Sequence, residues 1–467
     1  MITYDFENKK EPLYLYIYKC LKKDILDGKL KENEKLPSKR TFARNNGIST
    51  ITIQNAYDQL ISEGYIYTIP KKGYYVAHIE QITKKPKNVV LEYKIKVNNE
   101  KKYSIDLSDN SINSDNFPFS VWNRILRSVM AEKKKELMTI SEVNGVYSLR
   151  KAIAKHLQSF RGMLVDPNQI VVGAGTEFLY GIIVELLGKN KVYAIENPGY
   201  KKLKKIYNQK GLKCRYVKID EMGLTIDNLN DSKADIVHLC PNHHFPTGVI
   251  MPASRRYELL AWANDKENRY IIEDDYDSEF RVKGKPLPTL FSIDACEKVI
   301  YMNTFSKSLS PTIRISYMVL PVQLANLYYE KMSFYSCTVS NFEQYTLAEF
   351  IEKGYFEKHI NRMRLYYARQ RQKIINIIND LNVSGKFSVR DNCSGLHFLL
   401  KIDTKIKDSQ LKEKLLENDI KILSLSDYYF TDNEKKEHLF IINYSNINEQ
   451  KIKKVIEIIN AIIEKER

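Results

Sequence analysis

A chain of 467 residues exceeds one ordinary hydrophobic core and predicts two or three domains, one of them a large α/β body. The formal net charge of +16 favours an anionic partner such as DNA, while six widely scattered cysteines without metal-ligand spacing exclude a disulfide framework and point to a reducing cytoplasm. The first residues carry no apolar signal core, and no later stretch approaches the roughly 18 uninterrupted apolar residues of a membrane span, so a cytoplasmic protein with no membrane partner is expected.

Leu13, Ile17, Leu21 and Ile25 recur every fourth position and predict a first helix that stops near Gly28. Leu36-Pro37-Ser38 predicts a turn in which Ser38 caps a short second helix, stopped by Gly47. Ser49 caps a third helix whose Ile53, Ala56, Tyr57, Leu60 and Ile61 face inward, ending at Gly64. Two helices joined by such a turn present the start of the second to base edges, which makes Thr50, Thr52 and Gln54 candidates for DNA contact. Tyr65-Ile66-Tyr67 and Tyr74-Tyr75-Val76 predict a hairpin around Pro70-Lys71-Lys72-Gly73, a wing whose tip brings Lys71 and Lys72 to phosphate.

The stretch Leu36-Pro37-Ser38-Lys39-Arg40 … Gly47-Ile48-Ser49 … Ala56-Tyr57-Asp58-Gln59-Leu60 … Glu63-Gly64-Tyr65 resembles the GntR-type winged helix-turn-helix. The resemblance implies that Arg40, Ser49, Thr50, Thr52 and the wing around Gly73 contact DNA. Many relatives carry Arg where this chain has Thr50, and Thr cannot make the bidentate contact to guanine.

Residues 79–103 include Lys84-Lys85-Pro86-Lys87 and read as a charged linker. Beyond it, apolar runs at 169–172, 191–195, 236–239, 270–274 and 299–302 alternate with helical stripes and predict a mostly parallel sheet covered by helices, with ligands at the strands' C-terminal ends. Gly173-Ala174-Gly175-Thr176-Glu177 follows the first of these strands and can hold a phosphate on the amides that open a helix. Asp274 and Tyr276 share one face at a strand end, with Asp275 on the other. Asp274 can then protonate a pyridine nitrogen, and Tyr276 can bond the ring's phenolic oxygen. Lys307, in Thr304-Phe305-Ser306-Lys307-Ser308, is placed to form a Schiff base. Thr304 and Ser306 supply hydroxyls beside it, and Arg314 supplies a fork matched to phosphate.

These residues, with Asn197-Pro198-Gly199-Tyr200, Pro246-Thr247-Gly248 and Ser394-Gly395-Leu396-His397, resemble the fold-type I aminotransferase domain as it occurs in MocR-type regulators. The resemblance implies that Tyr200 stacks on pyridoxal 5′-phosphate, that Gly175, Thr176, Thr304, Ser306 and Arg314 hold its phosphate, and that Asp274, Tyr276 and Lys307 act as derived above. Two departures stand out. Phe245 occupies the place of an Asn that bonds the ring oxygen in enzymes, and Ile441 the place of an Arg that clamps the substrate carboxylate, leaving either another cation such as Lys202 or a ligand without that carboxylate. His238, His243 and His244 have the spacing of a strand and loop, and no metal is expected.

The expected architecture is an N-terminal winged helix-turn-helix over 1–78, mainly α with a β wing, followed by an α/β PLP-dependent transferase-like domain over 104–467 with a small C-terminal α+β subdomain from about 335. The expected function is PLP-dependent transcriptional regulation by a homodimer that reads double-stranded DNA with paired half-sites and senses an amine effector or PLP itself. The competing expectation is a working aminotransferase with an accessory DNA module.

Overall fold

The computed structural model describes residues 4, 11–80, 101–108, 113–281, 287–382, 385–390, 395–431 and 435–465. It divides into two compact units, Met1–Glu100 and Lys101–Arg467, each considered by itself.

In the N-terminal unit, α1 (Leu13–Leu26) buries Ile17, Tyr18, Leu21 and Ile25 along one stripe. Ser38 accepts from Thr41 N at 3.1 Å to start α2 (Lys39–Asn46), which ends on Gly47 at φ +66°. Ser49 accepts from Ile51 N at 3.2 Å and opens α3 (Thr50–Ser62), whose Ile53, Ala56, Tyr57 and Leu60 are buried; Ile61 is only partly so. The Tyr57 hydroxyl donates to Pro37 O at 3.0 Å, fixing α3 against the turn before α2. Two-residue β1 (Lys35–Leu36) pairs with the wing, formed by β2 (Ile66–Ile69) and β3 (Gly73–Val76), so the wing is a three-stranded sheet in the order β1-β3-β2. Sequence reading missed β1 because two residues carry no period. The tip turn places Lys71 at φ +62° and Gly73 at φ +121°.

The linker expectation falls mostly on residues 81–100, outside the described residues. In the large unit β4 (Ile105–Asp106) comes first, followed by the strands of an eight-stranded sheet: β5 (Ile170–Gly173), β6 (Val192–Asn197), β7 (Lys213–Asp220), β8 (Gly223–Leu224), β9 (Ile236–Leu239), β10 (Tyr270–Asp274), β11 (Val299–Thr304) and β12 (Ser316–Val319). Their order is β5-β12-β11-β10-β9-β6-β7-β8, with β12 antiparallel to both its neighbours and β8 antiparallel to β7. The sheet is thus parallel at its centre, where β10 lies between β9 and β11, and that centre carries the chemistry. The antiparallel β12 escaped the sequence reading; it lies between Arg314 and Pro321 with too few residues to announce its direction.

A helix of 26 residues, Tyr355–Asp380, leads to a second sheet made of β13 (Phe387–Arg390), β14 (His397–Ile402), β16 (Leu423–Ser424) and β17 (Leu439–Asn443), in the order β13-β14-β17-β16. Before β16, β15 (Ile420–Lys421) pairs in parallel with β4, stitching the two ends of this unit together. Among the described residues no helix is long and apolar enough to cross a membrane.

Candidate functional site

Asp274 ends β10 at the C-terminal edge of the central sheet and is buried. Its Oδ2 accepts from the Tyr180 hydroxyl at 2.7 Å and lies 3.6 Å from His238 Nε2, while His238 Nδ1 and the Tyr207 hydroxyl are 2.7 Å apart. Asp274 Oδ1 has no hydrogen-bond partner although it is buried. A buried carboxylate oxygen left bare is costly unless a ligand completes it. Burial and the Asp274 charge push the Tyr180 hydroxyl's pKa well up, so it remains a donor.

The neighbouring acid points elsewhere. Asp275 is buried and ion-paired with Arg161; it also accepts from the Tyr301 hydroxyl at 2.7 Å, Asn242 Nδ2 at 2.8 Å and Ser278 Oγ at 2.8 Å. Tyr276 is half-buried, with its hydroxyl 3.2 Å from His243 Nδ1, and Asp277 Oδ2 lies 2.8 Å from the same nitrogen. Alternation along the strand end therefore separates Asp274 and Tyr276 from Asp275, as their spacing predicts.

Gly175 precedes the helix Thr176–Leu187 at φ +95°, and a Cβ there would lie 2.3 Å from Arg314 Nη2. Only a glycine lets the guanidinium lie against that loop. Arg314 is itself left-handed, φ +53°, with Nη2 3.7 Å from Glu177 Oε1. The Thr304 hydroxyl caps the short helix Phe305–Ser308 through Ser306 N at 3.1 Å and accepts from Ser316 Oγ at 2.7 Å. Lys307, half-buried on that helix, lies close enough to His397 to help hold its imidazole neutral, an effect dominated by burial and reinforced by His243. The fold thus brings Gly175, Thr176 and Arg314 together on one side, and Asp274 and Tyr276 on another. Tyr200 borders both: burial and the carboxylates of Glu177 and Asp274 push its hydroxyl up to about 12.

An aromatic wall closes the remaining side. The Phe245 ring packs edge-on against Tyr200 at 6.2 Å, His397 at 5.2 Å and Tyr428 at 5.2 Å. Behind it Leu399, Leu425, Leu439 and Ile441 form one buried cluster with Tyr428, and Phe245 packs on it. Ile441 is 3% exposed. Lys202, named above as a substitute cation, is ion-paired with Glu177. Gly395 at φ +68° passes so close to His243 that a Cβ would clash with its ring; Ser394 lies outside the described residues.

In the N-terminal unit Arg40, Ser49 and Thr50 are exposed and Thr52 is half-buried around the start of α3; Lys71 and Lys72 are exposed at the wing tip beside Gly73. Sequence reading missed Tyr180 and treated His238 only as a possible metal ligand. Tyr180 was legible as the residue one turn beyond Thr176, on the same helix face. His238 was not, because its place beside Asp274 comes from the pairing of β9 with β10.

A model of bacterial regulatory proteins of the gntR family matches residues 13–76, and one of aminotransferase class I and II matches residues 103–459. The chain is 35% identical over 421 residues, 90% of each chain, to the HTH-type transcriptional regulator YdeL of Bacillus subtilis. It is 30% identical, across 81% of each chain, to the HTH-type pyridoxine biosynthesis transcriptional regulator PdxR of Corynebacterium glutamicum. A kynurenine aminotransferase structure from Pyrococcus horikoshii superposes with a TM-score of 0.68 at 22% identity, covering 79% of this chain and 92% of that one, which shows the fold.

An aminotransferase class I and II domain takes pyridoxal 5′-phosphate as its cofactor, and the residues present fit it: a bare buried carboxylate oxygen for a ring nitrogen, and a glycine-floored guanidinium for a phosphate. With a GntR module ahead of that domain, and relatives of the same two-part length, the chain belongs to the MocR-type branch of the GntR family, PLP-dependent regulators of transcription that bind DNA.

Proposed function

We propose that the large unit is a ligand sensor in which Lys307 is the covalent anchor of pyridoxal 5′-phosphate, Asp274 and Tyr276 hold its ring, Tyr200 covers it, and Gly175, Thr176, Thr304, Ser306 and Arg314 receive its phosphate. The observation that carries this reading is the buried Asp274 Oδ1, which has no partner while Oδ2 is fully engaged. The cofactor supplies an aldehyde that can capture an amine and a ring that can accept electron density. Asp274 would meet the ring nitrogen, and the Tyr180 hydroxyl, donating to Oδ2, orients the carboxylate for that contact. Lys307 would anchor the cofactor near His397, whose imidazole is kept neutral mainly by burial and so brings no competing charge.

The effector is either PLP itself or a small amine lacking a carboxylate. Where a carboxylate clamp would stand, Ile441 sits in an apolar cluster under Phe245, and burying an unpaired carboxylate against it would cost several kcal/mol. PdxR bears pyridoxine biosynthesis in its name, consistent with the first alternative.

The working unit is a cytoplasmic homodimer. Ile140 is 81% exposed, and Met138 and Phe334 are each 77% exposed, on segments joined by Asn341 Nδ2 donating to Glu136 O and Thr139 O. Large apolar side chains left this exposed favour a partner surface, and a two-fold copy would cover them. Two N-terminal modules then read paired half-sites, with Arg40, Ser49, Thr50 and Thr52 at the groove and Lys71, Lys72 and Gly73 at the backbone.

The test is the visible absorbance of the purified protein with and without PLP, beside Lys307→Ala. A band present in the wild type and lost in the variant is expected. A wild type that gains no band, or a variant that keeps it, would overturn the assignment of Lys307.

A further inference from the structure

The outward face of α3 offers no Arg or Lys, the side chains best suited to guanine. Thr50, Ile51, Gln54 and Asn55 are exposed, whereas Ile53, Ala56 and Tyr57 turn into the core. Ile51 is 70% exposed, the most exposed large apolar side chain of this unit among the described residues. No Lys or Arg occurs from Asn45 through Pro70. The unit's cations flank α3 instead: Arg40 and Arg44 on α2, and Lys71 and Lys72 on the wing, all exposed.

Base edges in the major groove differ in chemistry. Guanine presents two acceptors, best met by the donor fork of Arg or by Lys; adenine presents an acceptor and a donor, matched by the amide of Asn or Gln; thymine presents a methyl group, matched by apolar carbon. The face formed by Thr50, Ile51, Gln54 and Asn55 has two methyl-bearing side chains and two amides, and no cation. Asp58, one further turn along α3, is the first charge on this side and lies away from the helix start that meets the bases.

We infer that the bases facing α3 in each half-site are A·T pairs, with Ile51 as the specificity-determining residue packing on thymine methyl groups and Gln54 or Asn55 bonding adenine. Arg44, Lys71 and Lys72, which flank α3, contact phosphates and fix register without reading sequence, while Arg40 on α2 meets the groove beyond the pairs that α3 faces. This inference rests on the reading that α3 enters the major groove.

Selection of duplexes from a random library by the full-length protein gives the first test. Enriched half-sites should carry A·T pairs at the positions protected by α3. The selected duplex is then remade with uracil in place of those thymines, which removes only the methyl groups. Wild-type affinity should fall about fourfold for each contacted methyl. Ile51→Ala should bind the thymine duplex as weakly as wild type binds the uracil duplex, and should no longer distinguish the two. Because Ile51 is exposed, the substitution spares the core, and Ile51→Val, which keeps branched methyls, should retain most of the discrimination. Half-sites led by G·C at these positions, an unchanged affinity for the uracil duplex, or thymine discrimination persisting in Ile51→Ala would overturn the inference. Failure to enrich any duplex would instead overturn the reading that α3 enters the groove.

Discussion

The Tyr180 hydroxyl donates to Asp274 Oδ2 at 2.7 Å, from a helix whose first residue, Thr176, belongs to the proposed phosphate loop. One helix thus ties the proposed phosphate loop to the Asp274 carboxylate. The donor fixes the carboxylate's orientation and leaves Oδ1 facing the proposed ring nitrogen. Tyr180→Phe keeps the volume and removes the donor. The affinity for PLP, read by titrating the visible band, should fall about tenfold. An unchanged affinity would show that the Tyr180 hydroxyl does not orient Asp274 for the cofactor.

The second prediction concerns the acid next door. Arg161 and Asp275 form an ion pair in which both side chains are almost completely buried. Removing one member leaves an uncompensated charge in a dry interior. Arg161→Ala should destabilise the large unit by about 3–5 kcal/mol in urea unfolding. Arg161→Ala combined with Asp275→Asn should cost less than the sum of the single changes, because the second substitution removes the stranded charge. Strict additivity would show that the pair does not act as a unit.

How far sequence can be read is visible at these two acids. Their opposite directions follow from strand alternation and were legible. The partners were not: Arg161 ends a helix 114 positions away in the chain, and only the fold brings it to Asp275. The same contrast runs through the site. Gly175, Lys307 and Arg314 sit in local motifs whose chemistry is written in adjacent residues. The apolar cluster of Leu399, Leu425, Tyr428 and Ile441 is assembled from three separate segments, and no single window of sequence contains it. In the N-terminal unit the caps at Ser38 and Ser49 were readable because capping acts over two or three residues. The exposure of Ile51 was not, since apolar character alone predicts burial.

At the wing tip the adjacent Lys71 and Lys72 are exposed between Pro70 and Gly73, neither of which has a side chain to read a base, so their contribution should be to phosphates alone. The double variant Lys71→Ala/Lys72→Ala removes two cations from each of the dimer's two modules and should lower the slope of log affinity against log salt by about 4 in magnitude. It should weaken cognate and unrelated duplexes alike. A loss confined to the cognate sequence would assign the wing a role in base readout instead.

Glu196 offers a prediction in pH. It ends β6, buried, with Oε2 accepting from Cys240 N at 2.9 Å and lying 3.5 Å from His244 Nε2. Burial pushes its carboxyl up to about 8, with the nearby Asp274 charge adding to the effect. Burial likewise holds His244 down near 3, reinforced by His243. The folded chain therefore keeps a proton on Glu196 from its ordinary 4.5 up to about 8, where the unfolded chain has lost it. More protons bound in the folded state means that stability falls as pH rises through that window. His244 acts in the opposite sense, refusing a proton that the unfolded chain takes up, so its stabilising trend with rising pH ends near 6.5. Glu273 and Glu279, each raised by burial to about 7, share Glu196's sign but complete their loss sooner. Between about 7 and 8 Glu196 is the dominant of these groups, and the melting temperature of the wild type should decline there. Glu196→Gln, which keeps an acceptor for Cys240 N and cannot ionise, should flatten that decline. A variant whose melting temperature falls as steeply as the wild type's would show that Glu196 does not carry that proton in the folded protein.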